Sequence, residues 1–440
     1  MSKKLTPNVR FKGFSDDWEQ RKLEQVVSNL RSYSLSRKVE SSYPTHTKYI
    51  HYGDIHTRRA AKITSLSQLP DIIDGDYDYI SYGDIAVADA SEDYKDIAIP
   101  TILLSEDKNY SVVSGLHTIA FRPDKRMNPL FLYYLLFTQD FKHFVYREGQ
   151  GLKVFGITRD NLFKYPISYP IKDEQNQVVQ VFESLVSTIA SNQKQLDQLK
   201  TLKKLFLQKI FDQEWRFKGF TDPWEQRKLK EMFTETKRYV NPGLENIPLF
   251  SVTVANGLVP KSNRYNRQFL VKKKDKFKLV KPDEFIYNPM NITIGAVGFN
   301  SAKLNVAVSG YYVTMSLNPN FDKSFMQAWI NSPIAIKKYK LNATGSLLEK
   351  QRVQFPIFSN IKISIPVYEE QESIGIILKS LGDHIASNQR KGKSSNKGGI
   401  PTYNLNLMET TQSINYRVNQ NPQLTNNYSK INVLIILVPP

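Results

Sequence analysis

The 440-residue chain contains no cysteine. That excludes a disulfide scaffold, a thiolate zinc finger, an iron–sulfur site and a cysteine nucleophile. Long apolar runs are also lacking. Runs such as Val433–Val438 fall far short of the roughly 20 residues a membrane helix needs. The opening MSKKLTPNVRFKGF has no apolar segment, so no secretory signal is expected. No Walker loop, G-x-S-x-G or HExxH is present, which leaves the common phosphate-binding, serine-hydrolase and zinc-protease chemistries without their residues. Acidic residues are in deficit, 42 against 60 Lys+Arg, for a formal net charge of +18. A cytoplasmic protein with no membrane association is expected, and the excess charge points to a polyanion, nucleic acid first.

What is present is enough apolar material for real cores, with 40% hydrophobic residues and 12% aromatics. At roughly 150 residues per domain the length allows about three units. The chain is internally duplicated. Arg10–Leu23 reads RFKGFSDDWEQRKL and Arg216–Leu229 reads RFKGFTDPWEQRKL, differing only at Ser15/Thr221 and Asp17/Pro223. A second pair, Asp173–Gln193 and Glu369–Gln389, ends in the shared IASNQ. The order is entry motif, variable region, helical segment, repeated twice, which is not the short period of a solenoid.

The first helical segment carries Val178, Phe182, Leu185, Ile189, Asn192, Leu196, Leu199, Lys203, Phe206 and Ile210 at alternating spacings of four and three. That is a heptad seam, uninterrupted by Pro or Gly over Asp173–Phe211, and at 1.5 Å per residue it predicts a helix of roughly 55 Å needing a partner stripe. Asn192 is either a buried register-setting polar residue or a plain exposed one. The variable regions read differently. Tyr49–Ile55, Tyr79–Ala88, Ser111–Phe121, Leu249–Val254, Glu284–Tyr287, Ile292–Val297 and Val306–Met315 are short β-branched or aromatic runs, and Pro129–Phe144 and Ser324–Tyr339 are helical. Strands followed by helices imply α+β domains. In the second helical segment the seam holds at Ile374, Leu378, Leu381, Ile385 and Asn388, then gives way after Arg390 to polar KGKSSNKGG text. A reading-frame change or recombination junction near Arg390 is the expected cause.

Candidate chemistry is thin outside the basic segments. His46, His51 and His56 recur every five residues, which suits neither a helix-borne ligand pair nor a usual metal triplet, and ordinary loop or strand roles are expected. Asp89, Glu92, Asp93 and Lys95 resemble a nuclease carboxylate–lysine set only loosely. Tyr287-Asn288-Pro289-Met290 resembles the Asn-Pro-Pro-aromatic motif of DNA amino-methyltransferases but lacks the second Pro and the aromatic. A strand-end turn is expected there.

Groups able to contact phosphates and base edges concentrate elsewhere. In the first half they are Arg31, Tyr33, Arg37, Lys38, Thr57, Arg58 and Arg59, with Gln150 and Lys153 in a Gly-Gln-Gly loop. In the second half they are Asn256, Lys261, Asn263, Arg264, Tyr265, Arg267, Lys272, Lys273 and Lys274, with Ser346 in the matching Thr-Gly-Ser loop. A solvated basic hairpin is the alternative for Arg264–Lys281. No catalytic, cofactor-binding or metal-binding residue is expected. Two divergent basic domains on similar helical spacers read as two DNA readers held at a set distance.

On the RFKGF-[ST]-D-x-W-E-Q-R-K-L entries, the duplicated D-E-Q…IASNQ helix with its QLDQLKTLKKLFLQKIF continuation, and the YGDI turns, the chain resembles the specificity subunit of a type I restriction–modification system over about Arg10–Gln389. The resemblance implies an α+β fold with two target recognition domains, over 1–170 and 213–365. A central helical spacer would occupy 171–212 and a partial distal helix 366–390, forming an antiparallel coiled coil with its second helix truncated, and an atypical disordered tail would occupy 391–440. It implies a non-catalytic subunit in which each domain reads one half of a bipartite double-stranded DNA target. The implied partners are methyltransferase subunits, which use S-adenosylmethionine to methylate adenine N6, and restriction/translocase subunits, which use ATP and Mg. Those cofactors would belong to the partners, not to this chain. The shortened distal helix leaves an inactive or recombination-reservoir copy as an alternative, ahead of a self-contained DNA-modifying enzyme.

Overall fold

The computed structural model describes residues 7, 10–93, 96–151, 154–261, 277–345, 351–395 and 437–438, with side chains described no further than Arg390. The chain divides into two units, Met1–Thr188 and Ile189–Pro440, and the boundary falls within one long helix.

In the first unit the entry motif forms β1 (Glu19–Lys22), followed by β2 (Val27–Leu30), β3 (Thr47–Ile50), helix α1 (Tyr52–His56), β4 (Lys62–Ile63), β5 (Asp71–Ile72), β6 (Ile85–Ala88), β7 (Ala90–Ser91), β8 (Pro100–Leu103), β9 (Ser111–Ser114) and β10 (Thr118–Pro123). Then come α2 (Pro129–Leu135), α3 (Gln139–Glu148), β11 (Phe155–Gly156), α4 (Arg159–Leu162), β12 (Pro166–Tyr169) and the long α5 (Lys172–Phe211). One sheet has the order β2-β10-β6-β8-β4, and a second has β5-β3-β9. The all-apolar β6, IAVA, is buried throughout and sits in the middle of the larger sheet, as a run without polar alternation must. β1 pairs with β12, so the domain's start and end close on one another just before α5. Leu23, Phe121, Phe131, Phe141 and Ile167 fill the main core, and Val178 and Val179 of α5 pack against it.

The second unit repeats this plan. β13 (Arg216–Phe217), β14 (Glu225–Lys228), α6 (Leu229–Met232), β15 (Phe233–Thr236), β16 (Tyr239–Val240), β17 (Phe250–Thr253), β18 (Gly257–Pro260), β19 (Phe277–Val280), β20 (Phe285–Tyr287), β21 (Val297–Phe299), β22 (Val306–Ser309) and β23 (Val313–Leu317) precede α7 (Lys323–Ile330), α8 (Pro333–Asn342), α9 (Phe355–Asn360), β24 (Lys362–Ile365), α10 (Tyr368–Ser395) and β25 (Leu437–Val438). Sheets of order β15-β23-β20-β21 and β16-β19-β22 form the body, β17 and β18 form a hairpin, and β14 closes on β24 as β1 does on β12. The last turns of α5 (Phe206, Ile210, Phe211) and the start of α10 (Ile374, Leu378) belong to one core.

Several expected elements resolve differently. Tyr49–Ile55 is a strand only to Ile50, because His51 caps α1 and turns the chain into a helical turn. Ile292–Ile294 is a 3-10 turn ended by left-handed Gly295, so the strand begins at Val297. The helical stretches Pro129–Phe144 and Ser324–Tyr339 each break into two, at the Thr138 N-cap and at Ser332-Pro333, where proline takes a helix N1 position. Helix α10 continues five residues past Arg390, to Ser395. Beyond it only Leu437–Val438 is described, paired with Arg216–Phe217, and the rest of the expected tail lies outside the described residues.

Candidate nucleic-acid interface

In the first unit the site is built around α1. The His51 ring caps this helix, its Nδ1 accepting the Gly53 N–H at 3.1 Å, which requires a neutral imidazole. Burial, and then the neighbouring Arg37 charge, lower its pKa in agreement. Arg37 anchors the preceding turn to α1, donating to buried Asp54 at 3.0 Å and to Glu40 at 2.6 Å. Glu40 in turn accepts the Tyr49 hydroxyl at 2.8 Å. Burial works against the Arg37 charge, yet the two carboxylates raise its pKa overall. One side of α1 is a ring cluster: Tyr52 packs on His51, His56 and His117 with centroids 4.6, 5.8 and 5.3 Å away.

That cluster is tied to the Gly-Gln-Gly loop. His56 Nε2 lies 2.8 Å from the Ala90 carbonyl, and His117 Nδ1 lies 3.1 Å from Asp89 Oδ1. Burial raises the Asp89 pKa, with His117 opposing. β7 pairs with β11, the Asp89 carbonyl accepts the Ile157 N–H at 2.9 Å, and Gln150 and Gly156 exchange backbone hydrogen bonds of 2.8 Å. Gly151 has φ +124°, and a Cβ there would collide with the Val154 carbonyl, so the tight loop needs glycine. Thr57, Arg58 and Arg59 are exposed on the far end of α1. Arg58 is left-handed (φ 61°) with its guanidinium over Phe137 at 5.1 Å, and His117 is left-handed as well (φ 54°). Two non-glycine residues in the left-handed region thus lie on either side of the ring cluster.

The Gln150–Gly156 bridge is thus linked through Ala90 to His56, which immediately precedes exposed Thr57, Arg58 and Arg59. Arg31 and Tyr33 are connected instead to the acidic 71–78 loop. Arg31 stacks on Tyr33 at 4.7 Å and reaches Asp78 at 4.0 Å, and the Tyr33 hydroxyl donates to Asp78 at 3.2 Å. Lys38 is exposed beside Arg37. Lys153 lies outside the described residues.

The second unit uses a hairpin where the first uses α1, but has a comparable backbone bridge. The β17–β18 hairpin presents exposed Asn256 at its tip, whose N–H donates to Thr253 Oγ1 at 3.1 Å. Its base leads through exposed Lys261, whose N–H donates to the Leu249 carbonyl at 2.9 Å, into the basic segment. Asn263, Arg264, Tyr265, Arg267, Lys272, Lys273, Lys274 and Ser346 lie outside the described residues. Thr344 and Arg352 exchange backbone hydrogen bonds of 2.9 Å, and the Val353 N–H donates to the Pro289 carbonyl at 3.0 Å. This bridge is therefore tied to the 288–291 turn, as the Gln150–Gly156 bridge is tied to Asp89 and Ala90. Asn288-Pro289-Met290 is a strand-end turn in which Asn288 Oδ1 accepts the Met290 N–H at 3.0 Å.

The sequence did not mark Tyr52, His117, Asn291 or exposed Arg352 as contact candidates, and His56, Asp89 and Met290 stood only in motifs set aside as ordinary turns, loops or strands. Nothing in the local sequence marks them, since a strand-end or cap position acquires meaning only when the sheet brings it beside a loop. His46 simply meets the Asn109 carbonyl at 3.3 Å. Among the described residues no group of three or more His, Asp or Glu is placed to hold a metal ion.

The family described as the type I restriction modification DNA specificity domain matches residues 15–201 and again 221–394. A protein described as a type I restriction enzyme MjaX specificity subunit, from Methanocaldococcus jannaschii, is 23% identical over 423 residues, covering 89% of this chain and 93% of the relative. The crystal structure of a type I restriction–modification S subunit from M. genitalium superposes with a TM-score of 0.55 at 12% identity, covering 88% of this chain and 95% of that one, which shows a shared fold. A further match, to the HsdS subunit of Thermoanaerobacter tengcongensis, has 15% identity, a TM-score of 0.44 and coverage of 85% and 91%. Two family matches, one on each copy of a duplicated frame that carries comparable backbone bridges, settle the assignment: the chain belongs to the type I restriction–modification specificity subunits, which recognise DNA sequence and leave catalysis to partner subunits.

Proposed function

We propose that each unit reads one half of a split double-stranded DNA target, the first through α1, Gln150 and the Tyr52–His117 cluster, the second through the β17–β18 hairpin, its basic extension and the Thr344–Arg352 bridge. The observation that carries this reading is the repeated tying of a backbone bridge to a neighbouring strand or turn beside exposed polar and basic groups. Arginine and lysine position the duplex, and Gln150, Asn256 and the ring cluster supply base-edge contacts. The long helices set the distance between the half-sites and dock methyltransferase subunits. S-adenosylmethionine, ATP and Mg serve those subunits and the restriction subunits. The complex works in the cytoplasm, and among the described residues no helix is long and apolar enough to cross a membrane.

One observation favours a second reading, that of a poorly assembling copy. The α5 seam positions Leu196, Phe206 and Ile210 are buried, while Phe182, Leu185 and Ile189 are 44%, 37% and 53% exposed. Mapping N6-methyladenine in the host genome with and without the gene decides between them. A split motif that vanishes on deletion is expected, whereas an unchanged methylation map would leave the poorly assembling copy.

A further inference from the structure

Reading DNA leaves two of the repeated sequence features without a role: the arginine that opens each entry motif and the Glu-Gln pair that opens each long helix. In the structure they meet. Arg10 Nε and Nη2 donate to Glu174 Oε1 and Oε2 at 2.9 and 2.6 Å, and Arg216 donates likewise to Glu370 at 3.0 and 2.6 Å. The two carboxylates are buried, with 2% and 0% of their side-chain surface exposed. The next residue completes a clamp. Gln175 Oε1 accepts the Asn128 N–H at 2.8 Å, and its Nε2 donates to the Pro170 carbonyl at 2.8 Å. Gln371 Oε1 accepts the Asp322 N–H at 3.0 Å, and its Nε2 donates to the Pro366 carbonyl at 2.9 Å. Asn128 and Asp322 are the N-caps of α2 and α7. In each unit, then, two adjacent side chains in the first turn of the outgoing helix grip the chain entry, a capped helix start and the proline that follows the preceding strand.

We propose that Glu174–Gln175 and Glu370–Gln371 are positioning residues that fix the tilt of each long helix on its own recognition domain, and so set the length of the unread gap in the target. This rests on the split-site reading. A lever-arm estimate shows why tilt matters. Helix α5 has 40 residues, about 60 Å at 1.5 Å per residue. A tilt of roughly 3° at its first turn displaces the far end by about 3 Å, close to one base-pair rise of about 3.4 Å. Gap recognition at single-base-pair accuracy therefore needs a stiff pivot. A bidentate fork fixes orientation as a point charge does not. A buried ion pair adds little to stability relative to apolar packing, so the same partners at closely similar distances in both units fit a geometric role better than a stabilising one.

The test uses the full chain assembled with its methyltransferase subunits. Substrates carry the mapped half-sites with gaps of native length, one base pair shorter and one longer. The wild-type complex should methylate the native gap strongly over the others. In the E174Q/E370Q double variant the half-site bases should be unchanged, while the preference for the native gap falls by about tenfold. An R10K/R216K variant, which keeps the charges and loses the forks, should show the same relaxation and covers the case in which the first variant does not fold. Unchanged gap preference in a folded variant, or altered half-site bases, would overturn the proposal. A wild-type complex that methylates no split target would instead overturn the reading on which it rests.

Discussion

His51 shows how a single residue can carry both folding and pH behaviour in the first interface. Its Nδ1 accepts the Gly53 N–H and so must be unprotonated, and its pKa is lowered by burial and by Arg37. The unfolded chain binds that proton more readily, so stability is full above the ordinary histidine pKa of about 6.5 and is lost as the pH falls below it. His51→Asn, which caps without titrating, should flatten the loss of stability between pH 7 and pH 5. Parallel melting curves for the two proteins check this, and equal pH slopes would refute it. Nearby, Arg58 and Arg59 extend from the end of α1 and are exposed. If each meets a phosphate, Arg58→Ala and Arg59→Ala each reduce the slope of log affinity against log salt by about 0.9 while leaving the half-site sequence unchanged. A lost base preference with an unaltered slope would move them from positioning to reading.

Among the elements, the long helix is where sequence reading went furthest and where its limits are clearest. The heptad spacing gives α5 to within a residue, Lys172–Phe211 against Asp173–Phe211, because four-three periodicity over eleven turns has no competing solution. The same period cannot say which seam positions find a partner. Lys203, in the seam, is largely withdrawn from water beside Gly382, where an added Cβ would come within 3.1 Å of its Nζ. Burial pushes the Lys203 pKa down, with Asp383 partly restoring it. The charged form is thus penalised in the folded state at neutral pH, and the penalty fades as the pH rises toward the ordinary lysine value of about 10.4. Lys203→Met should stabilise the second unit by about 1 kcal/mol at pH 7, with a smaller gain at pH 10. Denaturant titration at both pH values measures it, and a gain that grows with pH would contradict the assignment. The recognition sites were less legible. Basic and glycine-flanked segments mark Arg58, Arg59, Gln150 and Asn256 as candidates, and all four are exposed. Asp89, His117 and Pro289 instead take their place from strand pairing across dozens of residues, which local composition does not encode.

For the whole molecule, the duplication makes specificity divisible. Each unit closes on itself, β1 on β12 and β14 on β24, directly before its outgoing helix, and each carries its own Arg–Glu–Gln clamp. A recognition region can therefore be exchanged between such closures without disturbing the core of the other unit, since Leu23, Phe121 and Ile167 belong to one core and Phe233, Phe285 and Ile363 to another. Replacing Arg10–Tyr165 by the corresponding region of another specificity subunit should change one half of the methylated motif and preserve the other half. The native gap should survive only if the incoming region retains an arginine opposite Glu174, because the fork is part of the clamp that fixes the helix tilt. Methyladenine mapping of the exchange strain reads all three quantities at once. A motif changed in both halves would mean that the two units do not read independently, and the division of labour between them would have to be abandoned.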